Sequence, residues 1–212
     1  VKAFTEAEQK RFLDELRRHH VPDNRNNYKH QLQIALYTGL RMGEVNALRP
    51  TDVDFDKKVV RVRRTVSQGE HSHPFLNKST KTYAGRREVP LSKDAEAVLK
   101  KAIRDMEKNP HGLIFYDHIN NHFVSTNQVN SCFKRICLKA DIEIEGGQHA
   151  LRHTFATRCI EADIQPVILK KWMGHTDIHV TLDTYADVFA RMNNGAINQL
   201  QDHMDRIEND EL

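Results

Sequence analysis

The stretch QHALRHTFATR (148–158) gathers charged and proton-exchanging side chains on one turn of a predicted helix. His149, Arg152 and His153 are spaced i, i+3 and i+4, positions that share one face of a helix. The apolar residues of the stretch can face a core on the other side. Because the N-terminal end of a helix carries a partial positive charge, this face suits an anion. A solvated polar stripe explains the spacing equally well when the motif is taken alone.

Helical periodicity continues over most of the chain on both sides of this stretch. Thr5 and Glu8 form a capping-box pattern at the start of the first helix, and Gly39 is a typical helix end. Helices are predicted at residues 6–18, in the segment that stops at Gly39, and at 43–48, 93–107, 127–140, 150–161, 166–173, 177–184 and 187–204.

The period changes to that of a strand in KVVRVRRTV (58–66). Segments 72–78 and 86–91 are also extended in pattern and complete a small antiparallel sheet with it. Residues 113–115 and 122–124 indicate a short hairpin. We therefore predict a mainly α protein with a small three-stranded antiparallel β-sheet, an α+β fold.

The composition is that of one domain with a sizeable core, since 39% of the 212 residues are hydrophobic. No apolar run approaches the ~20 residues that a membrane-spanning helix needs, so we expect no membrane association. The first residues suggest a helix entered in mid-protein, with further domains upstream, and resemble neither a signal nor a transit peptide. The cysteines Cys132, Cys137 and Cys159 form no CxxC pair, which is typical of a reducing, cytoplasmic setting.

Basic residues are concentrated in two segments, although the formal net charge is only +3. The last twelve residues carry a net charge of −4, which leaves +7 on residues 1–200. The basic segments are KKVVRVRR (57–64) and KSTKTYAGRR (78–87). Such clusters fit a polyanion, and a solvated basic face explains them about as well.

Two further segments combine helix ends with polar side chains. In TGLRMGEVNALRPTDVDF (38–55), Arg41 closely follows a helix-ending glycine, where an arginine more commonly complements the helix dipole than takes part in catalysis. In WMGHTDIHVTLDTYADV (172–188), His175 opens a turn after a glycine, and Tyr185 follows ten residues later. A lone tyrosine is usually a core or surface aromatic, so neither segment indicates a function by itself.

A metal site is a weaker explanation of the histidines. The pairs His149/His153 and His175/His179 have a spacing that metal ligands use. Neither pair has the HExxH form, no cysteine or carboxylate completes a ligand set, and Arg152 would repel a cation. We expect neither a metal nor another cofactor.

Taken together, the motifs resemble those of the tyrosine recombinase family. The family pattern is an arginine in a TGxRxxE context, a lysine in a β-hairpin, a HxxRH box, a GH pair and a tyrosine about ten residues further on. This sequence matches the pattern in order and spacing with Thr38–Glu44, Lys81–Thr82, His149–His153, Gly174–His175 and Tyr185. The context KTxxGRRxVPL is similar to that of integrases from phages and conjugative transposons.

The resemblance implies the catalytic-domain fold of that family and an enzyme that cleaves and rejoins DNA strands, with no metal. The implied catalytic set is Arg41, Lys81, His149, Arg152, His175 and Tyr185. Tyr185 would attack a phosphodiester and form a 3′-phosphotyrosyl link, while the two arginines and His175 stabilise the charge on the non-bridging oxygens. His149 would act as general base and Lys81 as general acid, with Lys78 on the same hairpin as the alternative.

Double-stranded DNA is the implied partner. Basic side chains would position the DNA backbone without reading its sequence: Arg61, Arg63, Arg64, Lys78, Arg86 and Arg87. His153 has either a phosphate contact or a structural role, with the structural role favoured. Glu44 is expected to orient Arg41 or nearby backbone.

The family also works as a DNA-assembled homo-tetramer, so we expect a tetramer on DNA and a monomer without it. Residues 1–187 would form the catalytic domain, and residues 188–212 a C-terminal helix and acidic tail that docks on a neighbouring protomer or remains a solvated helix end. The implied function is integration or excision of a mobile element. Three alternatives stay open: a strand-cleaving and resealing enzyme like type IB topoisomerases, a catalytically silent DNA-binding relative, and a metal-dependent phosphoesterase.

Overall fold

The protein is mainly helical, with short strands between the third and fourth helices. The computed structural model describes residues 2–19, 27–69, 73–77, 86–143, 146–193 and 196–208. The helices in these ranges are α1 (Glu6–Arg18), α2 (Lys29–Thr38), α3 (Met42–Asn46), α4 (Lys93–Arg104), α5 (Thr126–Lys139), α6 (His149–Glu161), α7 (Pro166–Met173), α8 (Ile178–Thr184), α9 (Ala186–Asn193) and α10 (Ala196–Glu208). The strands are β1 (Val53–Asp54), β2 (Val59–Val62), β3 (Thr65–Gln68), β4 (Pro74–Asn77) and β5 (Arg87–Pro90). The α+β fold class is confirmed.

The strands form two small antiparallel sheets instead of the single predicted one. One sheet has the order β1-β2-β5, and the other pairs β3 with β4. The predicted strand 58–66 is therefore wrong as one element, because the chain leaves the ladder where Arg64 turns inward to pair with buried Asp52. Buried valines continue in even steps across this break, at Val60, Val62 and Val66, so the periodicity does not reveal it.

One further predicted element differs in the structure. Instead of a hairpin at 113–115 and 122–124, there is an isolated bridge between Asp117 and His122. The Asp117 carboxylate accepts hydrogen bonds from Asn120 and Gln128, which hold the segment as a turn. The predicted helix 187–204 coincides with α9 and α10, and residues 194–195 between these two helices lie outside the described residues.

Two hydrophobic clusters form the core. The larger one joins α1, α2, α4 and α5 with the first sheet, and its aromatic centre consists of Phe4, Phe12 and Phe133, whose ring centroids lie 5.2 to 6.1 Å apart. The smaller one lies between α6 and α7 and includes Tyr185. No helix in the described part of the chain is long and apolar enough to cross a membrane.

Gly39 allows the close approach of α2 and α6. It caps α2 in the left-handed conformation, with φ of 66°, and a Cβ at this position would lie 2.4 Å from Cδ1 of Phe155. Only glycine combines that backbone conformation with that contact at low cost. The approach brings the segment after α2, which carries Arg41, alongside the first turns of α6.

Candidate active site

Arg152 is the buried centre of the site. It lies one turn into α6, and its guanidinium donates from Nη1 to the carbonyl oxygen of Gly39 at 2.6 Å and from Nη2 to that of Met173. Its Nη2 also lies 3.3 Å from Nε2 of His175. Burial and the nearby Arg41 lower the pKa of Arg152 to about 9, so it remains charged at neutral pH. One guanidinium thus joins α2, α6 and α7.

Arg41 is the N-cap residue of α3, and Glu44 fixes its position. Glu44 accepts from the backbone N–H of Arg41 at 2.8 Å and from its Nη1 at 3.2 Å. The Arg41 side chain remains 43% exposed, whereas that of Glu44 is buried. Arg41 therefore presents a cation at the surface within electrostatic reach of buried Arg152, and Glu44 orients it as expected.

His175 follows Gly174, which ends α7 in the left-handed conformation with φ of 65°. A guanidinium only donates hydrogen bonds, so Nε2 of His175 accepts from Arg152 and the ring proton lies on Nδ1. That Nδ1 is 2.8 Å from Oγ1 of Thr181, to which it donates. Burial, together with Arg152, Arg41, Arg87 and His153, lowers the pKa of His175 to about 4.

Tyr185 closes the site on the side of the smaller hydrophobic cluster. It caps α8, its residue surface is only 4% exposed, and its ring packs 5.7 Å from that of His153. Burial raises the pKa of the phenol to about 12, and the charge of Arg152 opposes that rise. The tyrosine is therefore a protonated, buried group within the electrostatic reach of the central arginine.

The other two residues of the HxxRH box lie beside Arg152 on α6. His149 is the first residue of the helix and is exposed, while His153 is partly buried against Tyr185. Partial desolvation of the ring by its neighbours and the charge of Arg152 lower the pKa of His149, with Arg41 as a further cause. Burial also lowers the pKa of His153. His153 thus has a packing contact, as the structural role requires.

The described arginines that were predicted to contact DNA fall into three groups. A groove of about 700 Å³ beside β2 and β5 is lined by Arg61, Val62, Arg63, Arg64, Arg86, Arg87, Glu88 and Lys171. Arg63 and Arg86 are exposed there. Arg61 pairs with Asp54 and Glu88, and Arg64 with Asp52. Arg87 is different again, because it lies buried against Glu44 and does not face solvent.

Lys81 and Lys78 lie outside the described residues, so their predicted roles stay predictions. Among the side chains that the structure does describe, no group of three or more His, Cys, Asp or Glu is gathered as metal ligands.

A protein-family model described as the phage integrase family matches residues 2–192. The chain belongs to the phage integrase family. It is 26% identical to a tyrosine recombinase XerC-like protein of Caldanaerobacter subterraneus subsp. tengcongensis, over 95% of this chain and 54% of that protein. It is also 26% identical to the transposase from transposon Tn916 of Enterococcus faecalis, over 74% of this chain and 41% of the transposase. The chain spans about half the length of these curated relatives.

The fold is similar to that of a solved member of the family. The integrase of transposon Tn1549, determined in complex with a circular intermediate DNA, superposes with a TM-score of 0.77 at 23% identity, covering 92% of this chain and 65% of that one. This likeness confirms the predicted recombinase-type fold, and family membership confirms the resemblance found in the motifs.

Some residues of the site carry no local signal in the sequence. Thr181 and the Gly39 carbonyl are defined only by what they contact, at Nδ1 of His175 and Nη1 of Arg152. Lys171, which lines the basic groove, was not singled out from the sequence. It lies on the exposed face of α7, where a search for basic residues just before Gly174 and His175 would have identified it.

The neutral state of His175 makes stability depend on pH. Its folded pKa lies below its ordinary 6.5, so the unfolded chain binds a proton first as the pH falls. The stabilisation is complete above pH 6.5 and is lost as the pH falls towards 4. Between pH 7 and 5 we expect the wild type to lose about 1 kcal/mol more unfolding free energy than His175→Gln, allowing for solvent screening.

Urea unfolding at a series of pH values measures this difference. His179→Gln, an exposed histidine on α8, is the matched control and should retain the pH dependence of the wild type. Parallel curves for the wild type and His175→Gln would show that His175 is not held neutral.

Proposed function

We propose that this chain is the catalytic domain of a tyrosine recombinase, which cleaves and rejoins DNA strands through a 3′-phosphotyrosyl intermediate. The observation that carries the proposal is the convergence of Arg41, Arg152, His175 and Tyr185, which come from four separate segments of the chain. Three of these segments are linked through Arg152, whose guanidinium contacts Gly39, Met173 and His175. Tyr185 lies within electrostatic reach of the same guanidinium.

The two arginines suit a pentacoordinate phosphorus, where negative charge builds up on the non-bridging oxygens. Arg41 offers an exposed guanidinium, and Arg152 a buried one that is already fixed by two carbonyl oxygens. Preorganised donors of this kind need no rearrangement when the charge develops, which is the main source of their effect. A phosphate oxygen that accepts the hydrogen bond of Arg152 Nη2 would leave Nε2 of His175 without its donor. The negative charge of the phosphate would also raise the pKa of His175, so that the ring takes up a proton from water and donates it in a hydrogen bond to a second oxygen.

The chemistry balances without a metal or nucleotide. The Tyr185 oxygen forms a bond to phosphorus as the bond to the 5′-oxygen breaks, and the phenolic proton passes to His149. Lys81 gives a proton to the departing 5′-oxygen. Because the phosphotyrosyl link conserves the ester, the 5′-hydroxyl of another strand can reverse the step and complete the exchange.

Double-stranded DNA is the proposed partner, and the basic groove is its proposed backbone contact. Arg63, Arg86 and Lys171 are exposed basic side chains of this groove, and Arg63 also lies 3.9 Å from the carboxylate of buried Asp52. Contacts of this kind position the duplex and weaken with salt. The Tn1549 integrase was solved with DNA bound, which supports this choice of partner.

Strand exchange requires several active sites, so we propose a homo-tetramer on DNA. Residues 1–187 would form the catalytic unit and residues 188–212 the element that docks on a neighbouring protomer. Helix α10 supports this role, because its apolar side chains Leu200, Met204 and Ile207 are 45 to 55% exposed and lie on one face.

Covalent capture tests the proposed activity without knowledge of the target sequence. Nicked duplexes with a randomised central segment would be incubated with the chain in EDTA and denatured, and the protein-linked strands amplified and sequenced. We expect a selected sequence, the captured duplex, in which a 5′-labelled strand stays with the protein. Retention of a 3′ label instead, or no adduct at all, would contradict the proposed chemistry.

A further inference from the structure

Arg87 links the segments that carry Arg41 and His175. We propose that it is a positioning residue of the active site, acting through Glu44 on Arg41 and through the end of α7 on His175. This inference rests on the proposed function and adds a residue outside the catalytic set that the resemblance implies.

The first link is a bidentate ion pair with Glu44. Nη1 and Nη2 of Arg87 donate to Oε1 and Oε2 of Glu44 at 2.9 and 2.7 Å. The two side chains are 3% and 6% exposed, so the pair is almost entirely removed from water. A buried carboxylate that lost this partner would have to find another positive charge.

The nearest other positive charge is Arg41. The same two oxygens of Glu44 already accept from the backbone N–H and Nη1 of Arg41. While Arg87 neutralises Glu44 from the buried side, the exposed guanidinium of Arg41 is available to a phosphate. Without Arg87, Glu44 would neutralise Arg41 instead, which weakens the contact between Arg41 and an anion.

The second link is to the end of α7. Nε of Arg87 donates to the carbonyl oxygen of Trp172 at 2.6 Å, and Arg152 takes the next carbonyl, that of Met173. The last carbonyls of a helix lack partners within it, and here two arginines supply them. A Cβ at Gly174 would lie 3.0 to 3.1 Å from the Arg87 guanidinium and Cδ, so the two residues pack closely. Arg87 therefore holds the turn that aims His175.

Single-turnover cleavage of the captured duplex tests the inference. We expect Arg87→Gln to slow cleavage at saturating DNA by about 30- to 100-fold, as a displaced catalytic group does. Affinity for the duplex and its salt dependence should change by less than about 2-fold, because a buried side chain makes no phosphate contact. Arg87→Lys keeps the positive charge but cannot make all three hydrogen bonds of the guanidinium, to Trp172 and to the two oxygens of Glu44. It should therefore cleave faster than Arg87→Gln but more slowly than the wild type.

Arg158→Gln is the matched control. Arg158 also bonds a carbonyl, that of Phe4, and a carboxylate, that of Glu161, but it lies on the far part of α6. A general loss of stability would affect both variants alike, whereas positioning affects only Arg87→Gln. Equal cleavage rates in wild type and both Arg87 variants would overturn the inference, as would a loss confined to DNA affinity.

A double-variant cycle tests the route through Glu44. If Arg87 acts through this carboxylate, Arg87→Gln should cost much less in a Glu44→Gln chain than in the wild type. If the rate losses of the two single variants simply multiply in the double variant, Arg87 does not act through Glu44. NMR of ¹⁵N-histidine gives a readout without DNA: the His175 signals should move in Arg87→Gln and stay in Arg158→Gln. If the wild type forms no adduct, the proposed function fails; unmoved His175 signals refute the positioning role separately.

Discussion

Tyr185→Phe is expected to abolish the covalent protein–DNA adduct while leaving folding and DNA affinity nearly unchanged. The variant lacks the nucleophilic oxygen, so adduct formation should fall by at least about 1000-fold, as it does when an enzyme loses its nucleophile. The ring that packs against His153 is kept, and the buried cluster of α6 and α7 stays filled. Denaturing gels of the labelled captured duplex measure the adduct, and thermal unfolding measures the fold.

Tyr116→Phe is the matched control for this variant. Its phenol bonds Asn121 and lies outside the site, in the segment before α5, so it should form adduct at the wild-type rate. An adduct that persists in Tyr185→Phe and disappears in Tyr116→Phe or another tyrosine variant would assign the nucleophile elsewhere.

The burial of Tyr185 also determines its protonation state at neutral pH. Its pKa of about 12 means that the phenol is protonated throughout the neutral range in the DNA-free chain. Attack therefore requires a base, or a change of surroundings on binding DNA.

The sequence was sufficient for those features that are local. The spacing of His149, Arg152 and His153 is a property of one helix turn, and the structure places all three on α6 as predicted. The capping box of Thr5 and Glu8 also marks the start of α1 correctly. Helix positions were recovered because periodicity and end signals repeat over many residues.

Features that depend on distant partners were not predicted. Arg86 and Arg87 are neighbours in one basic run, yet one is exposed and the other is buried against Glu44, 43 residues away in sequence. A charge cluster cannot show which of its members turns inward. The pairing of β2 with β5 was not predicted either, because the alternating pattern of 58–66 indicates a strand but does not say which strand is its antiparallel partner.

Arg152→Lys should reduce the cleavage rate about 100- to 1000-fold, because it removes a preorganised donor from the transition state. One ammonium cannot hold the Gly39 and Met173 carbonyls and face a phosphate at the same time. A buried lysine also loses its charge more readily than an arginine. Lysine is preferable to alanine here, since alanine would leave both carbonyls without a donor and cost stability.

Arg158→Lys on the same helix is the control, because it changes the same groups where no catalytic role is proposed. Single-turnover cleavage by Arg158→Lys should be near the wild-type rate. The affinity of Arg152→Lys for the duplex should fall only slightly, because the proposed phosphate contacts of the basic groove remain. If Arg152→Lys cleaves within about 3-fold of the wild type, the effect is far below that of a lost oxyanion donor. The buried guanidinium would then serve only to join α2, α6 and α7, and the charge on the phosphate would have to be met by Arg41.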